Sequence, residues 1–252
     1  MPAAGIIITT NRPITMAMPT DGSRPMAVGI DASLLHLMRL VSPSLPIGSF
    51  AYSQGLEAAV EQGWVDDEAS AAQWIGGVLG HAITALEVPV LMHLHRAWQA
   101  QALTQVNHWN RFLLASRESA ELREEDRLLG AALLRLLCDL GLDAALQWRE
   151  ETRETALCTM FALAAVHWQV PAAAAAAGFC WSWSENQVAA AIKLIPLGQT
   201  AGQRILFTLA DRIPALCEQG AALEETAIGQ AAPGVAMAGA LHEIQYSRLF
   251  RS

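Results

Sequence analysis

The sequence predicts an all-α fold, and three observations lead there. Of 252 residues, 46 are alanine and 33 are leucine, both strong helix formers. The β-favouring residues Val, Ile, Tyr and Phe are sparse beside them. Apolar residues recur at helical spacing, with no strand–helix alternation and no internal repeat. The length suits one large domain, or two at most, with ample chain for a buried core.

The elements follow in order. Residues 1–30 read as a flexible leader: Pro2, Pro13, Pro19 and Pro25 fall there, with Asn11, Asp21 and Gly22 and no helical period. Asp31 is placed to cap a helix carrying Leu34, Leu37, Met38 and Val41 on one stripe, which stops near Ser42 because Pro43 and Pro46 disfavour helical geometry before them. A Gly/Pro/Ser loop precedes a short helix around Tyr52–Gln62 that ends at Gly63. Asp66, Asp67 and Glu68 suit the positive end of the next helix dipole, which continues through Trp74 to Leu86. Another helix runs from Glu87 to about Gln101, with Pro89 in its first turn. The stretch Asn107–Leu140 carries the clearest amphipathic pattern, with Leu122, Leu129, Leu133, Leu136 and Leu140 on one face and Gly141 as its stop. Helical pattern then covers Glu151–Gln169, Ala172–Gly178, Ser184–Ile195, Thr200–Glu218 and Ala236–Tyr246.

Composition excludes several functions. The formal net charge is −8, so the clustered cations that displace counterions from nucleic acid are absent. Thr155–Ser184 carries no formal charge, but its Pro171 and its six consecutive alanines fit two buried helices better than a membrane span. Cys138, Cys158, Cys180 and Cys217 form no CxxC pair and read as reduced core thiols of a cytoplasmic protein.

The segments that could carry chemistry mostly lack its context. His93 and His95, two residues apart on a helix, point about 200° apart and cannot share one metal ion. No metal site or cofactor is expected. The run Ala51-Tyr52-Ser53-Gln54-Gly55 has the outline of a nucleophile elbow without its preceding strand. Gly198–Gln203 lacks the Gly-Lys-Ser/Thr ending of a phosphate loop and reads as a helix connector, with Thr200 as a cap. Glu118, Glu121 and Glu125 make an acidic stripe within the charged run Arg117–Arg127, whose plain reading is a solvated helix side. Lys193 is the one lysine of the chain. The closing segment mixes Tyr246, Phe250, Arg248 and Arg251, residue types that dominate interface hot spots.

Four of these segments together resemble the UreF family of urease accessory proteins. They are LLHLMRLVSPSLPIGSFAYSQGLEAAVEQGWV (Leu34–Val65), RESAELREE (Arg117–Glu125), KLIPLGQT (Lys193–Thr200) and QYSRLFRS (Gln245–Ser252). The resemblance covers about residues 32–252. It implies an all-α domain of about ten helices that forms a homodimer and is not an enzyme. Family members join UreD (also called UreH) and recruit the GTPase UreG, delivering nickel to apo-urease; a passage for nickel through the complex is also implied. The residues it marks for partner binding are Pro46, Gly48, Phe50, Tyr52, Ser53, Gly55 and Glu57; Glu118 and Glu121; Lys193, Pro196, Gly198 and Gln199; and Gln245, Tyr246, Ser247, Arg248, Leu249, Phe250 and Arg251. Tyr246–Arg251 would order on UreD, with Tyr52 packing against or bonding to the tail arginines. The competing readings are a helical hydrolase using Ser53 and a direct nickel carrier using His93, His95 or other histidines.

Overall fold

The computed structural model describes residues 31–152, 154–229 and 232–252, so the expected leader lies outside the described residues. Asp31–Ser252 form one unit. Among the described residues it holds eleven α-helices and no strand. They are α1 (Ala32–Leu40), α2 (Leu56–Glu61), α3 (Glu68–Val78), α4 (Glu87–Gln99), α5 (Leu103–Ala115), α6 (Ala120–Asp139), α7 (Asp143–Glu151), α8 (Leu157–His167), α9 (Ala172–Leu194), α10 (Gln199–Ala221) and α11 (Pro233–Glu243).

The centre is α8, whose residues Cys158–Ala165 are all buried. A helix apolar on every side must be covered on every side, and α4, α6 and α9 supply that cover. This accounts for the charge-free stretch: α8 and α9 are separate helices meeting at Pro171, which stands at the α9 N-cap. No single helix among the described residues is long and apolar enough to cross a membrane. Gly130 lets α6 approach the strand-like link before α8, since a Cβ there would meet the Thr155 carbonyl oxygen at 2.1 Å.

Several boundaries follow the local chemistry. The Asp31 side chain accepts from the Ser33 N–H at 2.9 Å, Asp67 and Ser70 form a reciprocal capping box, and Gly63 and Gly141 take positive φ past helix ends. Others differ from expectation. The α1 stripe is not a buried face, because Leu34 and Met38 are exposed; the helix instead buries Ser33 and Leu40 and sets Leu37 over Gly178. Arg39 and His36 stack on Trp168. The second helix begins at Leu56 rather than Tyr52, since Gln54 and Gly55 both hold positive φ.

Asn107–Leu140 is two helices, broken at Ser116–Ser119, where Ser119 caps α6 through the Leu122 N–H. The break takes Glu118 off the helix, so the acidic stripe is not one helical row. Leu140 is exposed rather than on the buried face. Helix α7 is not legible in the pattern; it ends at Glu151 and α8 begins at Leu157, where the sequence reads as one helix from Glu151. The expected helices Ala172–Gly178 and Ser184–Ile195 fall on one 23-residue helix that ends at Leu194, with Ile195 as its C-cap. Gly198, not Thr200, stands at the α10 N-cap.

Candidate functional site

The tail after α11 folds back across the first turn of α2, and short-range chemistry explains how. Gly55 turns the chain into α2 with φ +82°, and its missing Cβ leaves room for Ala238, whose own Cβ would lie only 2.9 Å away. This close approach seats α11 on α2 and delivers the residues after it to the Gln54–Glu57 corner, which they help to bury. There Glu57, in the first turn of α2, accepts the Leu249 N–H on Oε1 at 2.6 Å and the Phe250 N–H on Oε2 at 2.9 Å. A buried carboxylate receiving two backbone donors is a strong anchor, because hydrogen bonds to an ionised acceptor are about twice as strong as neutral ones.

The anchor continues on both sides. His242, fully buried at the end of α11, places Nε2 3.3 Å from Glu57 Oε2 and Nδ1 2.6 Å from Glu121 Oε2. The other Glu121 oxygen accepts from Arg248, and Glu243 accepts the Ala120 N–H at the start of α6. Further along, the Arg251 N–H donates to the Ala51 carbonyl at 2.9 Å. The Ser252 main-chain oxygen receives the Ser53 and Gln54 N–H groups and the Ser53 hydroxyl at 2.8, 3.0 and 2.6 Å. The Ser252 hydroxyl donates to Glu125 Oε2 at 2.6 Å.

Behind the tail stands a second row. Gln54 donates to Glu125 Oε1 and accepts from the Trp183 indole, at 2.7 and 2.6 Å, while Asn186 donates to the Tyr52 carbonyl at 3.1 Å. Phe250 packs inward beneath Lys193, whose Nζ lies 5.6 Å from its ring centre. A cavity of about 140 Å³ lies behind this row, with Glu125 and Gln54 on one wall and Ile83 and Phe179 among its apolar lining. At its far side Arg117 joins Glu87 Oε1 at 2.6 Å and Asp126 Oδ2 at 2.9 Å. Burial lowers the Arg117 pKa, but the Coulombic pull of Asp126 and Glu87 outweighs it and holds the guanidinium charged.

Burial pushes the Glu125 carboxyl up to about 7, against the opposing hydrogen bonds from Ser252 and Gln54 and the charge of Arg117; Asp126 adds to the rise. The folded chain therefore takes up a proton that the unfolded chain, with its ordinary value of 4.5, does not hold in that interval. This contribution is complete below the ordinary value and is lost as pH rises through about 7. Glu125→Gln removes the charge and keeps the shape. Its melting temperature, relative to the parent, stands higher at about pH 8 than at about pH 5; an equal offset at both would contradict this origin.

The outward side of the tail carries apolar side chains beside Ser247, Arg248 and Arg251. Tyr246 is fully exposed, and Leu249 and Ile244 are largely so, as is Phe50 in the turn before Ala51. Most residues marked by the family motifs thus converge: Tyr52, Ser53, Gly55 and Glu57 beneath the tail, Glu121 and Lys193 beside it, and Arg248–Arg251 within it. The Gln245 side chain donates to the Ser247 carbonyl, and its N–H donates to the His242 carbonyl. Pro46 is exposed and Gly48 begins the turn leading to Phe50 with φ +81°. Pro196 and Gly198 of the α9–α10 connector and Gln199, which opens α10, are exposed, and no tail hydrogen bond reaches them among the described residues. Glu118 is exposed at the cavity wall.

Tyr52 is buried, and among the described residues no hydrogen bond joins it to Arg248 or Arg251; Glu121 accepts from Arg248, and the Ala51 carbonyl accepts the Arg251 N–H. Ser53 is fully buried with its hydroxyl given to Ser252, and no histidine bonds it among the described residues. His95 is bound to the Val170 carbonyl, whereas His93 stacks on Trp109. No group of three or more His, Cys, Asp or Glu is arranged to hold a metal ion among the described residues. The sequence reading missed Gln54, Trp183, Asn186 and His242, and it noted Glu125 only as part of the stripe.

These features define a class: an all-helical protein that uses buried carboxylates to hold its own tail in place with the apolar side outward. The sequence profile of the UreF family matches residues 65–210. A urease accessory protein UreF of Alkalilimnicola ehrlichii is 50% identical over 217 residues, 86% of this chain and 95% of its own length. That of Teredinibacter turnerae is 49% identical over 222 residues, 87% of this chain and 98% of its own. Urease accessory protein UreF 2 of Brucella anthropi is 46% identical over 219 residues, 87% and 96% of the two chains. The chain belongs to the UreF family of urease accessory proteins.

Proposed function

We propose that this chain is a non-enzymatic scaffold of urease maturation, which binds UreD and recruits and regulates the GTPase UreG for nickel insertion into apo-urease. The observation that carries this reading is the tail: its backbone is anchored by Glu57, and Tyr246 and Leu249 are left free to meet a partner. An ordered apolar face costs less to dock than a disordered one, because its conformational entropy is already lost. Glu57, Glu121 and His242 hold the surface; Glu118, Lys193, Pro196, Gly198 and Gln199 lie in the open and are candidates for GTPase contact. The chain acts as a homodimer in this reading, and the exposed Leu34, Leu35 and Met38 of α1 offer apolar surface of the kind a second copy covers. The fully buried Ser53 gives the hydrolase reading no support.

The test is co-purification of the tagged full chain, and of a chain truncated before Tyr246, with co-expressed UreD and UreG. The full chain captures both and the truncation captures neither. Equal capture by the two chains would place the docking surface elsewhere, and capture by neither would overturn the scaffold reading.

A further inference from the structure

Cys180, on α9, and Cys217, on α10, are buried with their sulfurs 3.9 Å apart. No other thiol pair is in hydrogen-bond contact among the described residues; the Cys158 sulfur lies instead 3.8 Å from the Glu87 carbonyl. We propose that Cys180 and Cys217 are a peroxide-oxidisable dithiol, a modification site that closes into a disulfide tying α9 to α10.

The geometry is close to what the bond requires. A disulfide needs sulfurs about 2.05 Å apart, so each sulfur moves roughly 1 Å, within the reach of a small side-chain rotation. The two helices also approach closely elsewhere along their contact, where a Cβ on Gly202 of α10 would meet Ile192 of α9 at 2.6 Å. The partners are unequal in access. Cys180 has no exposed surface, whereas Cys217 keeps a small open edge, so a small oxidant reaches Cys217 first. The contact between the two thiols lowers the Cys217 pKa although burial opposes it, and the same contact raises Cys180, so Cys217 ionises first.

The reaction then balances. The Cys217 thiolate attacks one oxygen of hydrogen peroxide, the O–O bond breaks, and hydroxide leaves; Cys217 becomes a sulfenic acid, oxidised by two electrons. The Cys180 sulfur attacks the Cys217 sulfur, the S–S bond forms and the S–O bond breaks. The departing hydroxyl takes the Cys180 proton as water, and the first hydroxide takes the proton that Cys217 had released. Two thiols and one peroxide give one disulfide and two waters. The linked helix α9 also carries Trp183 and Asn186, which hold Gln54 and the Tyr52 carbonyl, so the bond restrains the wall behind the tail.

The test treats the full chain with hydrogen peroxide, alkylates the remaining thiols after denaturation and maps the peptides by mass spectrometry. The expected product has lost about 2 Da and two alkylatable thiols, contains the linked Cys180 and Cys217 peptides, and reverts with dithiothreitol. Cys180→Ser and Cys217→Ser each abolish it, and Cys138→Ser does not. The parent peptide map decides the matter even if a serine variant fails to fold. Oxidation that stops at oxygen adducts on single sulfurs, links another cysteine pair, or leaves all four thiols free would overturn the proposal.

Discussion

Replacing Arg117 with alanine destabilises the fold by about 3–5 kcal/mol, the usual effect of removing one partner from a buried ion pair. Arg117 lies in the short break between α5 and α6, and its guanidinium reaches Glu87 of α4 and Asp126 of α6. The second Asp126 oxygen accepts the Leu157 N–H at 2.7 Å, at the first turn of α8. One cation thus joins three helices at the edge of the core. The side chains of Glu87 and Asp126 are only 4% and 6% exposed, so without Arg117 two carboxylates remain buried without a cation. Burial already raises the Glu87 pKa above the ordinary carboxylate value even with Arg117 present. Removing the cation raises it further, so Arg117→Ala loses more stability at about pH 8 than at about pH 5. Urea denaturation at the two pH values measures both effects. A loss below about 1 kcal/mol, the ordinary worth of an exposed pair, would show that the triad is not buried in solution.

Glu57→Ala releases the tail without unfolding the domain. Among the described residues Glu57 is the sole acceptor for the Leu249 and Phe250 N–H groups, and it also faces His242. Hydrogen bonds to a charged acceptor contribute about 1.5–3 kcal/mol each. Losing two removes about 3 kcal/mol or more, which is a hundredfold or greater rise in local opening. Amide hydrogen exchange at Leu249 and Phe250 accelerates by about that factor while α8 amides stay protected. Capture of UreD falls with it, since a partner must then order the tail itself. Unchanged exchange at these two amides would mean that Glu57 does not hold the tail.

The two sides of this account were unequally legible in the sequence. Helix ends marked by local chemistry could be read directly: Asp31, Gly63, Pro89 and Gly141 act on neighbours a few residues away. The break at Ser116–Ser119 could not, because charged residues on both sides keep a helical pattern, and Arg117 leaves it for partners on α4 and α6. The α1 stripe misled for a related reason. Period alone cannot tell which of two apolar faces the rest of the protein covers, and Leu34 and Met38 remained outside.

The site depended on distance along the chain. The family motifs marked Glu57, Glu121 and the tail, but not what joins them. Ser53 and Ser252 are 199 residues apart, Glu57 and His242 are 185, and Gln54 and Trp183 are 129. Nothing local to His242 or Trp183 signals such a pairing. Glu125 gave a faint signal as the last member of the acidic stripe, yet the plain reading of a charged run is a solvated face. Its burial follows from the packing of α6 against α8 and from the tail closing over it.

In the proposed scaffold the outward side of the anchored tail is the surface that partners meet. The most direct measurement compares UreD capture by the full chain with capture by a Tyr246→Ala/Leu249→Ala double variant. Both side chains point into solvent, so the backbone bonds to Glu57 remain and the melting temperature and the exchange of the Leu249 and Phe250 amides are unchanged. Capture falls by about tenfold or more, as loss of apolar anchors at the centre of an interface requires. Undiminished capture by a variant with that protection intact would contradict the account, leaving the tail as a brace for the fold and placing the docking surface elsewhere.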